Sequence, residues 1–358
     1  MRNLFARAAA LTILTAIMLT AAAGSALACG GLVTPNGTIN LLKTTTLAAY
    51  HDGIEHYVTS FEFAGEGSEV GSIIPLPGVP TDVIKGGDWT LQRLIIETQQ
   101  RDLQRTALFS ANAEDSGGAQ VLLEKKIDAL DITVLKGGAI EVGDWAREHG
   151  YFLPPDAPEM LAFYAERSPI FLAARFDARR AESRGVQTGQ GTPVHIVIPT
   201  PNPWVPLRIL ALGRKASETV QADVYLLTDR RPETLPQAER AKSSDDDQRG
   251  LIQEVSEPAS GTLLTDLRSD RGMKWLPESG MWLTYIRINE TAENLKHDLA
   301  IDASGYGRPN PIAAGYPAPS ATSWSLLWTA MAAIVAVAFL MAVTDPAVRR
   351  QAARVFRR

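Results

Sequence analysis

The sequence holds a single cysteine, Cys29, in 358 residues. That excludes an intrachain disulfide and a thiolate metal cluster. Exported domains often rely on disulfides. Any fold here depends on burial instead, and the length permits a core of adequate size. No G-x-S-x-G is present, so the usual strained hydrolase serine is missing. Neither a P-loop nor a G-x-G-x-x-G occurs, which removes the familiar phosphate and dinucleotide cradles. No internal repeat emerges at 20–50 residues. What the chain does have is ordinary globular composition, 45% hydrophobic and 21% charged, which supports a buried core.

Positive charge is scarce in the middle and concentrated at the ends. The formal net charge is −5. Residues 1–28 carry Arg2 and Arg7 and no acid, and residues 323–358 carry five arginines against Asp345. Between them, 28 basic residues face 39 acidic ones. So acidic a domain lacks the positive footprint that nucleic acid requires, and no nucleic-acid partner is expected.

The two termini read as targeting devices. Met1 to Arg7 is basic, Ala8 to Ala23 is uncharged and mostly apolar, and Ala26-Leu27-Ala28 is a small-x-small cleavage site. This layout predicts a secretory signal peptide over residues 1–28. Cleavage would leave Cys29 at the mature N-terminus, where lipidation is an alternative fate; Ala26 stands where lipoprotein sites prefer leucine. At the other end, residues 323–344 carry no charge and include Trp324 and Trp328 at one margin. About 20 apolar residues match the hydrocarbon core of a bilayer, and indoles favour its interface. The arginine-rich tail, 345–358, then predicts a cytoplasmic C-terminus by the positive-inside rule. The expected topology is single-pass, with residues 29–303 as an extracytoplasmic domain and the lipid bilayer as partner of 323–344. Residues 304–322, rich in Pro, Gly and Ala, read as a linker.

Within the domain the patterns are mixed. Thr44 to Tyr50 and Ile54 to Phe63 are strand-like around Asp52-Gly53, a two-residue hairpin signal, with Tyr57, Thr59, Phe61 and Phe63 on one face. Ser72 to Pro77 reads as an edge strand because of its prolines. A helix from Asp88 to about Ala107 is expected, with Asp88 as its cap. Further helices are predicted over Ile140–His149 and Asp156–Arg167. Strands are predicted at Val121–Leu123, Ile132–Leu135, Ile170–Phe176, Val194–Ile198, Leu207–Leu212, Val220–Thr228 and around Trp282–Ile288. Asp177–Gly191 and Arg230–Arg249 read as polar loops. The fold class implied is α+β, strand-rich and mostly antiparallel, with a few helices.

Candidate chemistry is sparse. His51 and His56 flank the hairpin turn and would be diagonal neighbours on one face, a geometry open to a shared metal ion, although no third ligand is evident. The spacing is one residue too long for the helical zinc motifs, and a solvated hairpin is the alternative. Asp245-Asp246-Asp247 lacks the alternation and glycine of a calcium loop. Trp204, framed by Pro201, Pro203 and Pro206, is either a partner contact or a loop packed on the core. No catalytic or cofactor-binding residue can be named.

Several stretches stand out: Ala28-Cys29-Gly30-Gly31, Ile73-Ile74-Pro75-Leu76-Pro77-Gly78-Val79-Pro80, Trp145-Ala146-Arg147-Glu148-His149-Gly150-Tyr151 and Pro206-Leu207-Arg208-Ile209, together with the C-terminal apolar segment and basic tail. In these the chain resembles one bacterial family, DUF2330. The resemblance implies an exported bacterial protein and assigns no activity. It often implies a second cysteine soon after the first; this chain has Leu32-Val33-Thr34 there. The functional expectation is a membrane-anchored binding or scaffolding module of the cell envelope, with an unknown envelope protein as partner and no cofactor. The alternative is an envelope hydrolase or metal-dependent enzyme with an unfamiliar site.

Overall fold

The computed structural model describes residues 31–33, 39–65, 69–99, 120–127, 130–177, 193–242, 247–302, 307–318 and 328–337. Two compact units divide the chain, 1–316 and 317–358. Cys29, Asp245 and Asp246 lie outside the described residues, as does the predicted signal peptide.

The first unit is built on an eight-stranded sheet. Its centre is the predicted hairpin, β2 (Ile39–His51) and β3 (Ile54–Gly65). Asp52 and Gly53 have φ of 49° and 77°, the paired left-handed residues of a tight hairpin turn. β9 (Val194–Pro199) and β5 (Asp82–Lys85) extend the sheet beyond β3. On the other side β11 (Thr219–Thr228) runs parallel to β2, followed by β15 (Trp282–Thr291), β14 (Gly250–Pro258) and β13 (Glu239–Arg240). β13 also runs parallel to β14, and the other pairings are antiparallel.

Alternation along these strands divides the core in two. Leu47, Ala49, Val58, Tyr225 and Leu227 face one way. They pack under α1 (Thr90–Gln99) and α4 (Gly261–Ser269), which contribute Leu91, Leu94, Leu263, Leu264 and Leu267. On the opposite face Ala48, Tyr57, Ile196, Val224 and Leu226 join a larger cluster. That cluster takes in Ile73, Val134 and Leu172 of a five-stranded sheet with strand order β1-β4-β8-β7-β6. The strands are β1 (Gly31–Val33), β4 (Glu69–Pro75), β6 (Gln120–Ile127), β7 (Leu130–Lys136) and β8 (Ile170–Asp177). Between β7 and β8 lie α2 (Ala139–Glu148) and α3 (Ala157–Ala165), whose Trp145, Leu161 and Tyr164 are buried in the same cluster. A small third sheet, β10 (Trp204–Val205), β16 (Leu299–Asp302) and β12 (Glu233–Leu235), places β16 at its centre.

Four local expectations are corrected. β4 is not an edge strand: β1 pairs with Gly71–Ile73 and β8 with Glu69–Pro75. Pro75 lies past the reach of β1, so its missing N–H forfeits no bond there. The cap of α1 is Asp270, whose Oδ2 accepts from Trp89 N (3.2 Å) and Thr90 Oγ1 (2.7 Å); Asp88 pairs with Lys85 instead. The predicted strand Leu207–Leu212 is a 3-10 turn over Arg208–Ala211. The loop 230–249 contains β12 and β13. Helix α1 ends at Gln99 as described, and residues 100–119 are outside the described set.

The stretch read as a linker is also partly folded. Residues 310–316 form consecutive turns, with Gly315 N donating to Ile312 O (2.9 Å) and Tyr316 N to Pro311 O (2.9 Å). Ala314 is fully buried. In the second unit, residues 328–337 are helical, with Trp328, Ile334 and Val335 more than half exposed. Among the described residues no helix is long and apolar enough to cross a membrane. The remainder of the predicted span lies outside them.

Candidate functional site

Among the described residues, an extended polar assembly surrounds Asp298, the residue immediately before β16. Its side chain is fully buried. Oδ1 accepts from Tyr164 Oη (2.8 Å), Leu207 N (2.8 Å) and Arg208 N (2.9 Å), and Oδ2 from Arg167 Nη2 (2.5 Å). Tyr164 Oη in turn accepts from Ile209 N (2.8 Å). The first amides of the 3-10 turn thus find side-chain partners. This tertiary satisfaction explains why a sequence with strand character turns here. Burial raises the Asp298 carboxyl above its usual range, while Arg167 pulls it down. Desolvation likewise drives the Tyr164 phenol well up.

Arg167 fastens the turns of residues 310–316, the C-terminal strap, to this centre. Its Nη1 donates to Ala313 O (2.6 Å), and its guanidinium stands 4.1 Å from the Phe163 ring. Asp298 N donates to Ala314 O (3.0 Å). At Gly315, φ is +81° and a Cβ would fall 2.2 Å from Phe163 Cζ, so only glycine fits. His297 stacks on Tyr316 at 3.7 Å and 9°. Burial lowers the His297 pKa, against the pull of Asp298.

Above this framework opens a cleft of about 400 Å³. Four distant chain segments line it. Helix α3 brings Met160 and Glu159, with Asp156 just before it; the 3-10 turn brings Arg208 and Ala211. The segment leading into Asp298 supplies Ala292, Glu293, Leu295, Lys296 and His297, and the strap supplies Gly315. Asp156 accepts from Gly213 N through both oxygens (2.9 and 3.1 Å). Arg208 Nη2 donates to Glu159 Oε1 at 2.6 Å, and its guanidinium stands 4.1 Å from the Phe163 ring. The result is a recess in which Met160, Ala292 and Leu295 are buried while side chains of both charge signs stand around them. None of the lining residues carries a hydroxyl or thiol.

The residues singled out from sequence lie elsewhere. His51 and His56 keep the expected hairpin register, opposite Ile54 and Ala49. They are engaged separately, however. His51 Nδ1 contacts Asp229 Oδ1 at 2.6 Å. His56 Nδ1 lies 2.9 Å from His195 Nε2, and its ring stacks on Trp275 at 3.5 Å and 4°. Burial holds both buried imidazoles neutral, lowering His56 to about 3 and His195 to about 4. Among the described residues no group of three or more His, Cys, Asp or Glu is placed to hold a metal ion. Trp204 is buried rather than offered to a partner: it stacks on Tyr164 and sits 5.2 Å from the Arg167 guanidinium. Its prolines frame a loop packed on the core.

One further buried group is conspicuous. Glu55 is fully enclosed, and its carboxylate finds no well-formed hydrogen bond, only the weaker approach of the Trp204 backbone. Burial pushes its pKa up to about 8, partly offset by the nearby Trp204 backbone. Sequence reasoning missed Glu55, Asp298 and every lining residue of the cleft. Arg167 and Asp298 are 131 positions apart, and neither carries a local motif.

Residues 23–249 match the model of a family described as an uncharacterized protein conserved in bacteria, DUF2330. The matched region ends before β14, α4, β15, β16 and the strap, all of which belong to the same folded unit. No curated protein sequence matches the chain. Among solved structures, the chain is similar to baculovirus P35, with 9% identity and a TM-score of 0.37 over 63% of this chain and 76% of that one. It is also similar to a mutated baculovirus P35 after caspase cleavage, with 9% identity and a TM-score of 0.38 over 73% and 99%. At these TM-scores neither likeness carries an argument.

Proposed function

The chain belongs to the DUF2330 family of bacterial proteins, and we propose that it is a membrane-anchored binding module of the cell envelope. The observation that carries this reading is the cleft: four segments remote in sequence converge on it, and the buried Arg167–Asp298 pair bonds the backbone of the 3-10 turn and of the strap that border it. A rigid frame beneath a mixed-charge, partly apolar recess suits recognition. Its lining offers no hydroxyl or thiol nucleophile, and Asp156 and Glu159 are engaged by the Gly213 amide and in an ion pair.

The envelope address rests on the sequence: a signal-peptide layout at 1–28 and an uncharged segment at 323–344 with an arginine-rich tail. In this reading the unit ending at Tyr316 lies outside the cytoplasm, and the tail lies within. The test is crosslinking in intact cells followed by purification of the full chain in mild detergent. A discrete crosslinked partner that survives purification is expected; a chain recovered alone at every crosslinker concentration contradicts the module.

A hydrolase is the second reading. Its support is the convergence of Asp156, Glu159, Glu293 and His297 on one cleft, since paired carboxylates perform general acid and base chemistry. Turnover of an envelope polymer that disappears in Glu159→Gln and Glu293→Gln, with folding intact, would establish it over the first.

A further inference from the structure

We infer that the cleft takes a small zwitterion of the amino-acid or short-peptide class. The inference rests on the binding-module reading and names the ligand chemistry of the same site. Volume sets the scale: about 400 Å³ lies toward the small end of ligand clefts, enough for a dipeptide and too little for a folded partner's loop.

Charge sets the class. Arg208 and Lys296 on the lining are cationic, while Asp156, Glu159 and Glu293 are anionic. A simple anion would meet three carboxylates, and a simple cation would meet two bases. A molecule with a carboxylate at one end and an ammonium at the other can pair with lining groups of both signs at once, and electrostatic complementarity of that kind confers specificity. The carboxylate fits the Arg208 guanidinium, whose planar fork recognises such groups. Arg208 is already oriented by the Phe163 ring and tethered to Glu159, whose side chain is 79% exposed. An exposed pair of this sort contributes little and exchanges readily, so a ligand carboxylate competes for Arg208 at small cost. The ammonium then meets the acids, Glu293 among them. Between the charged groups, Met160, Ala292 and Leu295 offer apolar contact to a short side chain.

The test is calorimetric titration of the full chain in detergent micelles with alanyl-alanine, its N-acetyl derivative and its C-terminal amide. Alanyl-alanine should bind one to one, and either cap should weaken binding at least tenfold. Lys296→Met and Glu293→Gln, both at exposed positions, should each weaken it at least fivefold with an unchanged melting temperature. Equal binding of the capped peptides overturns the inference, as does unchanged binding by both variants. An absence of heat from alanyl-alanine also overturns it and leaves the crosslinking result standing. A lone chain on crosslinking contradicts the module even where the peptide binds.

Discussion

At the scale of single residues, the protein is governed by a few buried polar groups. Glu55 keeps its proton in the fold up to about pH 8, whereas an unfolded glutamate releases it near 4.3. Between those values the folded state binds more protons than the unfolded one, so stability falls as pH rises. The slope for one group approaches about 1.4 kcal/mol per pH unit. Denaturant titrations of Glu55→Gln should lose that slope and show a gain over the parent at pH 8. His56 and His195 act in the opposite sense. Their folded pKa values, about 3 and about 4, lie below the unfolded value, so their contribution is complete above pH 6.5 and is lost as pH falls toward 4. Parent stability should therefore peak in mildly acidic to neutral buffer; a curve rising steadily through pH 8 contradicts the assignment of Glu55. A third residue test concerns Gly87, where a Cβ would sit 1.9 Å from Asp270 Oδ2. Gly87→Ala must displace the carboxylate that caps α1 and should cost about 1–2 kcal/mol of stability in urea unfolding.

At the scale of elements, much of the first unit is legible in the chain. The Asp52-Gly53 turn fixes the central hairpin, because its two left-handed φ values match the twist of the strands it joins. Helices α2 and α3 follow from their local punctuation: Gly137-Gly138 before the first, Gly150 after it, and Pro158 in the first turn of the second. What escapes the sequence is whatever depends on remote partners. The turn at Arg208–Ala211 exists because Asp298 and Tyr164 take its amides. Helix α4 is short, and no element is predicted for the stretch that holds it; its Ser260 cap accepts from Leu263 N (3.1 Å). The strap resembles a linker in composition, yet Arg167 and Asp298 hold it. Removing one partner from that buried pair leaves the other charge stranded, so Arg167→Leu should destabilise by about 3–5 kcal/mol. Proteolysis of this variant should begin within residues 307–318; cleavage elsewhere first would show that the strap docks independently of Arg167.

At the scale of the whole molecule, the family-matched region is shorter than the folded unit. β15 lies between β14 and β11 in the eight-stranded sheet, and β16 occupies the middle of the third. A chain ending at residue 249 lacks both, together with Asp298 and most of the cleft. It should unfold without cooperativity, while a chain ending at residue 318 should give one sharp calorimetric transition. The candidate site was invisible to sequence reasoning for the same reason: its walls belong to segments that meet only when β16 and the strap are in place.

The envelope reading is tested most directly by protease added to spheroplasts expressing the chain with a C-terminal epitope tag. The account predicts loss of the domain, with the tag retained on a small membrane-bound fragment. Survival of the domain with removal of the tag would contradict it.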